Sequence, residues 1–249
     1  METYEENKKT TKEGKLVPLT LPLNIKEGEN FAEGGESKVW NIQTQNKDGT
    51  EQAHVALKES KREAFATEEE MKKSKEFYDF LKNFPGFGKF VPETLYFKAQ
   101  ETADPKDKPK SYCIQKFTPG ERIDRLTDEI IYKDPVVVAQ LLEFANVSIE
   151  LLHTIKQNDI HTPDFMRTPE ISNMRVLFGA LVFNPRYSSN IQIANEPDKN
   201  GQKVFFVDVG VNANARMKKG WEWHGRKVVN SIIESKFNAW KKKLEKIHA

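Results

Sequence analysis

The stretch Glu33-Gly34-Gly35-Glu36-Ser37-Lys38-Val39 is followed, one hairpin's length later, by Val55-Ala56-Leu57-Lys58. The glycine pair predicts a turn between two strands, and Asp48-Gly49 predicts a second turn before the strand that carries Lys58. Backbone N–H groups of a glycine turn and a lysine ammonium are both groups that bind phosphate oxygens. The order predicts two strands that cover a nucleotide and a third strand that offers a lysine to its phosphates. An ordinary β-hairpin is the alternative for the glycine segment alone.

Length and composition restrict the class of protein. The chain has 249 residues, enough for one large domain or two small lobes. Its formal net charge is only +2, which disfavours nucleic-acid binding by the molecule as a whole. Cys113 is the only cysteine, so no intrachain disulfide and no cluster of thiolate metal ligands can form.

No apolar run reaches the length of a membrane span, and the N-terminus lacks the apolar core of a signal peptide. We therefore expect a cytoplasmic, or at least intracellular, protein without a membrane span. Residues 1–16 are polar and rich in Lys and Glu, and we expect a flexible tail there.

Hydrophobic periodicity divides the rest of the chain in two. Strands are predicted at 25–33, 37–45, 53–58, 90–97 and 111–117, with a helix at 67–84. A long amphipathic helix is predicted from Asp134-Pro135 and another over 225–247, with apolar segments at 176–183, 191–194 and 204–209. We expect an N-terminal lobe at 17–117 and a C-terminal lobe at 118–249.

At Lys58 the sequence resembles the protein kinase superfamily. The family's glycine-rich loop reads G-x-G-x-x-G-x-V, and in Ala32 to Val39 only Gly34 and Val39 match it. The resemblance implies an α+β, bilobal fold with a five-stranded antiparallel N-lobe and a reduced, mostly helical C-lobe. Such a chain would be a divergent member, an atypical or minimal kinase of bacterial style or a pseudokinase.

The resemblance also implies an ATP site. In it Lys58 contacts the α- and β-phosphates and is held by a helix carboxylate, Glu76 or alternatively Glu69. A solvated helix face is the plain reading of these glutamates. The implied nucleotide-binding residues are Gly34, Gly35, Val39, Ala56, Lys58, Glu76, Lys116 and Thr118, the last two through their backbones beside the adenine.

A second constellation lies near residue 200. Ser188-Ser189-Asn190 precedes one apolar strand, and Val204-Phe205-Phe206-Val207-Asp208-Val209-Gly210 is a second strand that ends in Asp-x-Gly. By resemblance Asn190 and Asp208 would bind Mg²⁺ or Mn²⁺, which favour oxygen ligands, and Asp208 would act with Lys58 in catalysis. A hairpin that carries Asn and Asp by chance is the alternative.

One expected catalytic group is missing. The family's catalytic loop is H-R-D-x-x-x-x-N, and counting back from Asn190 places Pro185 where the aspartate should be. The segment 183–190 contains no acid. Asp164, after the long helix, is a candidate relocated base, although a loop aspartate that ends a helix is the commoner case. Arg186 either contacts phosphate or is a solvated loop arginine.

Residues 211–249 contain ten Lys or Arg and three Glu. This basic patch either meets an acidic partner, an inositol phosphate or nucleic acid, or presents the solvated face of the C-terminal helix. We expect phosphotransfer from ATP to the hydroxyl of a protein substrate or a small molecule. The alternatives are a catalytically inactive pseudokinase that serves as a binding or scaffold module, and transfer of AMP from the same fold.

Overall fold

The computed structural model describes residues 19–20, 30–33, 37–45, 52–60, 68–100, 110–116, 119–158, 165, 173–207 and 222–248. The predicted N-terminal tail lies outside these residues. The chain divides into two compact units, Met1–Lys73 with Glu93–Phe117 and Ser74–Pro92 with Thr118–Ala249. The α+β class is confirmed.

The first unit is built on one sheet. Its described strands are β1 (Leu19–Thr20), β2 (Asn30–Glu33), β3 (Ser37–Gln45), β4 (Gln52–Ser60), β5 (Thr94–Gln100) and β6 (Lys110–Lys116). They lie in the order β1-β5-β6-β4-β3-β2, so β4 and β6 are central. The long β3–β4 pair runs in register from Ser37 opposite Ser60 to Gln45 opposite Gln52.

Two details differ from the sequence-based expectation of five antiparallel strands. The short strand β1 adds a sixth member, and it pairs parallel to β5, whereas the other pairs are antiparallel. The strand expected from residue 90 begins at Thr94, because Gly88–Phe90 continues as a 3-10 helix. Gly88 lies so close to the Lys82 carbonyl oxygen that a Cβ at residue 88 would be 1.9 Å from it, which requires glycine there.

Helix α1 (Glu68–Asn83) precedes this 3-10 helix. Its described apolar side is buried through Phe77, Tyr78 and Leu81. The chain turns after the helix at Gly86, whose positive φ of 75° favours glycine. The predicted helix 67–84 and its Pro85-Gly86 stop agree with this observed span to within one residue at each end.

The second unit is mostly helical with one small antiparallel sheet. Its helices are α2 (Asp128–Lys133), α3 (Pro135–Asn158), α4 (Asn173–Val182) and α5 (Glu222–His248), and its strands are β7 (Gly120–Arg122), β8 (Ile191–Ala194) and β9 (Val204–Phe206). The strands lie in the order β7-β8-β9. Gly120 opposes Ala194, and a Cβ there would lie 2.2 Å from the Ile193 oxygen, so only glycine fits this close approach.

Phenylalanine rings fill the centre of the second unit. The largest fully buried side chains include Phe87, Phe90, Phe144, Phe165, Phe206 and Phe237. Phe144 of α3 lies 5.1 Å from Phe90 and 6.1 Å from Phe237 of α5, between ring centroids. Phe165 lies 5.3 Å from Phe206 of β9, so the rings join two helices, the 3-10 helix and the small sheet. We call these six residues the phenylalanine cluster.

Helix α3 is long and apolar enough to cross a membrane, with a mean hydropathy of 1.5 over its best window. The expectation from the sequence that no apolar run reaches the length of a membrane span is therefore wrong for this helix. Ten α3 residues are buried within the protein, and the helix packs against α5. The helix therefore has the burial pattern of a core helix.

Replacement of Phe144 by alanine tests the phenylalanine cluster. Because this ring is fully buried among other rings, we expect Phe144→Ala to lower the free energy of unfolding by about 3–5 kcal/mol. The matched control is Phe178→Ala on α4, whose side chain is 65% exposed and which should cost less than ~0.5 kcal/mol. Urea unfolding followed by circular dichroism measures both, and equal effects would contradict this description of the core.

Candidate active site

Adjacent strands of the first unit carry several of the predicted nucleotide-binding residues. Lys58 of β4 lies opposite Val39 of β3 and opposite Cys113 of β6. Ala56 precedes Lys58 by two residues and is buried. Segments that are far apart in sequence thus meet in one sheet, centred on β4.

The end of β6 is the predicted adenine-binding segment. Gln115 is buried, and its Nε2 donates a hydrogen bond to Thr94 Oγ1 at 3.2 Å. The Lys116 backbone N–H donates to the Glu93 carbonyl oxygen at 2.8 Å, and the Lys116 side chain is exposed. Since that N–H is already bonded, a backbone contact from Lys116 to a base would have to come from its carbonyl.

Several predicted site residues lie outside the described part of the chain. They are Gly34, Gly35, Thr118, Asp164 and Asp208, together with the side chains of Val39 and Lys58. Glu76 is described and its side chain is exposed on α1. Its pairing with Lys58 stays a prediction.

Asn190 is held at the start of the β8–β9 hairpin. Its carbonyl oxygen accepts a hydrogen bond of 2.9 Å from the Val207 N–H, in register with Ile191 opposite Phe206. Asn190 is only 5% exposed. Ser189 Oγ donates to its Oδ1 at 3.3 Å, and its own N–H donates to Ser188 Oγ at 3.3 Å. The hairpin therefore fixes Asn190 beside the strand end after which Asp208 follows in sequence.

The loop before Asn190 is anchored by Arg186. The loop forms a 3-10 turn, Pro185–Tyr187, whose Asn184 side chain accepts from the Arg186 N–H at 3.1 Å. Arg186 is 4% exposed, and its guanidinium donates to Asp128 Oδ1 at 2.6 Å and to the carbonyl oxygens of Ile123 and Leu126, each at 2.5 Å. Of the two alternatives from the sequence, a solvated arginine is wrong because Arg186 is buried and its guanidinium nitrogens donate inside the unit, and a phosphate contact stays a prediction.

Asp128 completes this anchor. It lies at the beginning of α2 and also accepts from Lys243 Nζ of α5 at 2.8 Å. Hydrogen bonds from Lys243 and Arg186 lower the pKa of Asp128 below its ordinary value. An ionised carboxylate engaged by two cations is poorly suited to accept a proton from a substrate hydroxyl.

The described loop 183–190 contains no acid that could replace the missing catalytic aspartate. Its residues Phe183, Pro185 and Arg186 are buried. The described part of the chain also contains no group of three or more His, Cys, Asp or Glu residues able to hold a metal ion. Asn190 is thus the described member of the predicted metal pair.

Sequence reasoning missed the Arg186–Asp128–Lys243 network. Asp128 is 58 positions from Arg186 and 115 positions from Lys243 in the chain, and no local pattern marks the three as partners. The start of α2 did carry a signal, because Thr127 caps the helix by accepting from the Ile130 N–H.

Loss of the buried guanidinium should destabilise the second unit. We expect Arg186→Met to reduce the free energy of unfolding by about 1–3 kcal/mol, since the carbonyls of Ile123 and Leu126 lose their donors. Arg125→Met is the matched control, because Arg125 is exposed and lies 3.4 Å from Glu121. Chemical denaturation should separate the two variants, and a harmless Arg186→Met would show that the network is not structural.

Acid should weaken the same network. The pKa of Asp128 is lower in the folded than in the unfolded state, so its contribution is present above the unfolded value of about 3.9 and is lost as pH falls through the folded value. Asp128→Asn should therefore flatten the fall of unfolding free energy below about pH 4. Asp79→Asn, which alters an exposed pair with Lys75, serves as the control. Parallel acid slopes for wild type and Asp128→Asn would contradict this assignment.

No protein-family model matches the chain, and no curated protein is significantly similar to it. A solved structure, the crystal structure of aminoglycoside phosphotransferase APH(4)-Ia, is similar over 88% of this chain and 91% of that chain, at 12% sequence identity and a TM-score of 0.39. A TM-score below 0.5 does not establish a common fold.

Proposed function

We propose that this protein binds ATP together with Mg²⁺ or Mn²⁺ and transfers a phosphoryl group to the hydroxyl of a protein or a small molecule. The observation that carries the proposal is the hydrogen bond of 2.9 Å between the Val207 N–H and the Asn190 carbonyl. Val207 directly precedes Asp208 in sequence. The pairing supports a role for an amide oxygen and a carboxylate together as metal ligands.

In this role Asn190 and Asp208 would hold the divalent ion through oxygen atoms, the ligands that Mg²⁺ and Mn²⁺ prefer. A metal ion at this position would supply positive charge to the phosphate oxygens of the nucleotide. Burial of Asn190 and its serine hydrogen bonds support the proposal, because a ligand that is already oriented loses less entropy on binding.

The nucleotide would be contacted by residues of the first unit. Positions 56 and 58 share a face of β4 because successive residues of a strand alternate between the two faces. Ala56 would pack against the adenine, and Lys58 would neutralise phosphate charge with Glu76 as its carboxylate partner. Gly34, Gly35 and Val39 would cover the nucleotide, and the Lys116 carbonyl and Thr118 backbone would contact the adenine edge.

For phosphotransfer we propose Asp164 as the group that orients or deprotonates the acceptor hydroxyl. Asp128, the carboxylate bound to Arg186, is excluded from that role by its two cationic partners. Transfer of AMP is an alternative that needs no base at the usual position. An intracellular location, as the sequence predicts, would provide both ATP and Mg²⁺.

A second candidate is a nucleotide-binding pseudokinase. It is favoured by the loop 183–190, which has no acid and whose single cation, Arg186, is used to anchor the loop to Asp128 and two carbonyls. These hydrogen bonds hold the loop in one conformation. The protein would then keep nucleotide binding for scaffolding or signalling and lack turnover.

Nucleotide binding can be tested by thermal shift. ATP with Mg²⁺ or Mn²⁺ at ~100 times its Kd should stabilise the folded protein by about 2.7 kcal/mol. Asp208→Ala should abolish the shift, because a metal ligand is lost. Glu196→Ala, at an exposed position of the β8–β9 turn, should retain it. No shift of the wild type at millimolar nucleotide would eliminate the kinase, the AMP-transfer and the nucleotide-binding pseudokinase proposals.

Turnover can be distinguished from binding by intact mass spectrometry after incubation with ATP and candidate acceptors. An added phosphate indicates phosphotransfer, and an added AMP group indicates nucleotidyl transfer. Asp164→Ala should remove phosphotransfer and leave the thermal shift unchanged. Retained phosphotransfer in Asp164→Ala, with its loss in Asp208→Ala, would reject the relocated base.

A further inference from the structure

A groove of 490 Å³ lies in the second unit between α4, the 3-10 turn Pro185–Tyr187 and α5. Its volume is in the range of pockets that hold ligands. Its lining includes Leu181, Val182, Tyr187, Lys236, Trp240 and Lys243.

The groove has apolar walls that are open to solvent. Leu181, Val182 and Tyr187 are 52%, 64% and 62% exposed. Phe178, one turn before Leu181 and Val182 on α4, is 65% exposed and extends the apolar surface. Singly exposed apolar residues are ordinary, but a contiguous group beside a groove is typical of an interaction site.

Positive charge flanks the apolar floor. The groove-lining positions on α5 are 236, 239, 240 and 243, which form one helical stripe with lysine at each end and Ala239 and Trp240 between. Two helical turns separate Lys236 from Lys243, about 10 Å along the axis. Every charged residue in the lining is a cation.

These cations differ in availability. Arg186 is buried in its hydrogen bonds, and Lys243 shares Asp128 with it while its side chain stays 52% exposed. Lys236 makes no ion pair among the residues that the structure describes. Lys236, and the half-exposed Lys243 whose ammonium is shared with Asp128, are therefore the groups that a ligand carboxylate would meet.

We propose that this groove binds an acidic segment of a partner protein, a peptide with one large apolar side chain and carboxylates on both sides of it. The apolar side chain would fill the space between Leu181 and Trp240, and the carboxylates would pair with Lys236 and Lys243. Burial of the apolar anchor supplies affinity, while the flanking charges fix orientation and speed association.

A peptide fits the groove better than a nucleic acid does. Phosphate backbones require cations along an extended surface, whereas this groove has an apolar floor about two turns long between two lysines. Outside the groove, Lys241 of α5 is already paired with Glu245. The charge complementarity therefore favours a short acidic segment with an apolar centre.

The proposal does not depend on ATP binding. The groove lies wholly within the second unit, and its test contains no nucleotide. Failure of the nucleotide experiments would leave this proposal intact, and the reverse also holds.

The test begins with selection of phage-displayed random dodecapeptides on the full-length protein. We expect the enriched sequences to share an aromatic or long aliphatic residue between Asp or Glu residues. A fluorescein-labelled peptide of that consensus, titrated by fluorescence anisotropy, should bind the wild type and bind more weakly at high salt.

Matched variants locate the binding. Lys236→Glu and Leu181→Gln should each weaken the peptide by at least about tenfold, through charge reversal and loss of apolar contact. Lys242→Glu makes the same charge change on α5 outside the groove lining, and Val228→Gln the same apolar change at an exposed α5 position. Both controls should bind like the wild type, and circular dichroism should show that all four variants remain folded.

The proposal would be overturned if the selected peptides shared no consensus sequence, or if their consensus contained no acidic residues. Peptide affinity that Lys236→Glu and Leu181→Gln leave unchanged would also overturn it. Self-association of the wild type that Leu181→Gln abolishes, seen by sedimentation, would show that a second copy covers the groove and would also reject the peptide.

Discussion

Burial of the phenylalanine cluster is the packing constraint that organises the second unit. Phe144 of α3 and Phe237 of α5 join the two long helices, and Phe206 of β9 joins the small sheet to them. Because β9 is fixed by this packing, the β8–β9 register is fixed too, and with it the position of Asn190. The candidate metal residue therefore depends on an apolar core rather than on polar contacts alone.

The Arg186 network adds a second constraint and restricts the chemistry. The loop 183–190 contains no acid, and its arginine is committed to Asp128 and two backbone carbonyls. The Arg186 guanidinium is buried while Asp128 is half-exposed, and loss of its partners would leave a buried charge uncompensated, so this network stabilises one conformation of the loop. Rigid placement of Asn190 is compatible with the proposed metal site, while the proposed transfer would need a proton acceptor from elsewhere in the chain. The proposed nucleotide binding and the proposed transfer therefore depend on different residues and can be tested separately.

The sequence predicted the helices and strands that a local pattern of residues marks. The alternation of β3 and β4, the amphipathic stripes of α3 and α5 and the stop at Pro85-Gly86 all follow from periods of two or 3.6 residues and from turn chemistry. It did not predict the parallel edge strand β1, because two residues carry no periodic signal. The burial of Arg186 was equally invisible, since its partners at 123, 126 and 128 are made adjacent only by the fold.

The candidate site also combines residues that local motifs predict with contacts that only the fold creates. Ala56, Lys58 and the β6 end were drawn from separate motifs, and the register places them on adjacent strands. The α4–α5 groove was not foreseen, although the basic excess of the C-terminal residues was, because its apolar wall comes from α4 and from the 3-10 turn. Charge can be counted from sequence, whereas the juxtaposition of charge with an exposed apolar surface requires the fold.

The most direct test of the central claim is a crystal structure with a non-hydrolysable ATP analogue and Mn²⁺, located by its anomalous scattering. We predict one manganese peak bound by the side-chain oxygens of Asn190 and Asp208, with the analogue's phosphates beside Lys58. A bound analogue whose metal lies away from Asn190 and Asp208, or a crystal grown at saturating analogue without nucleotide density, would contradict the account.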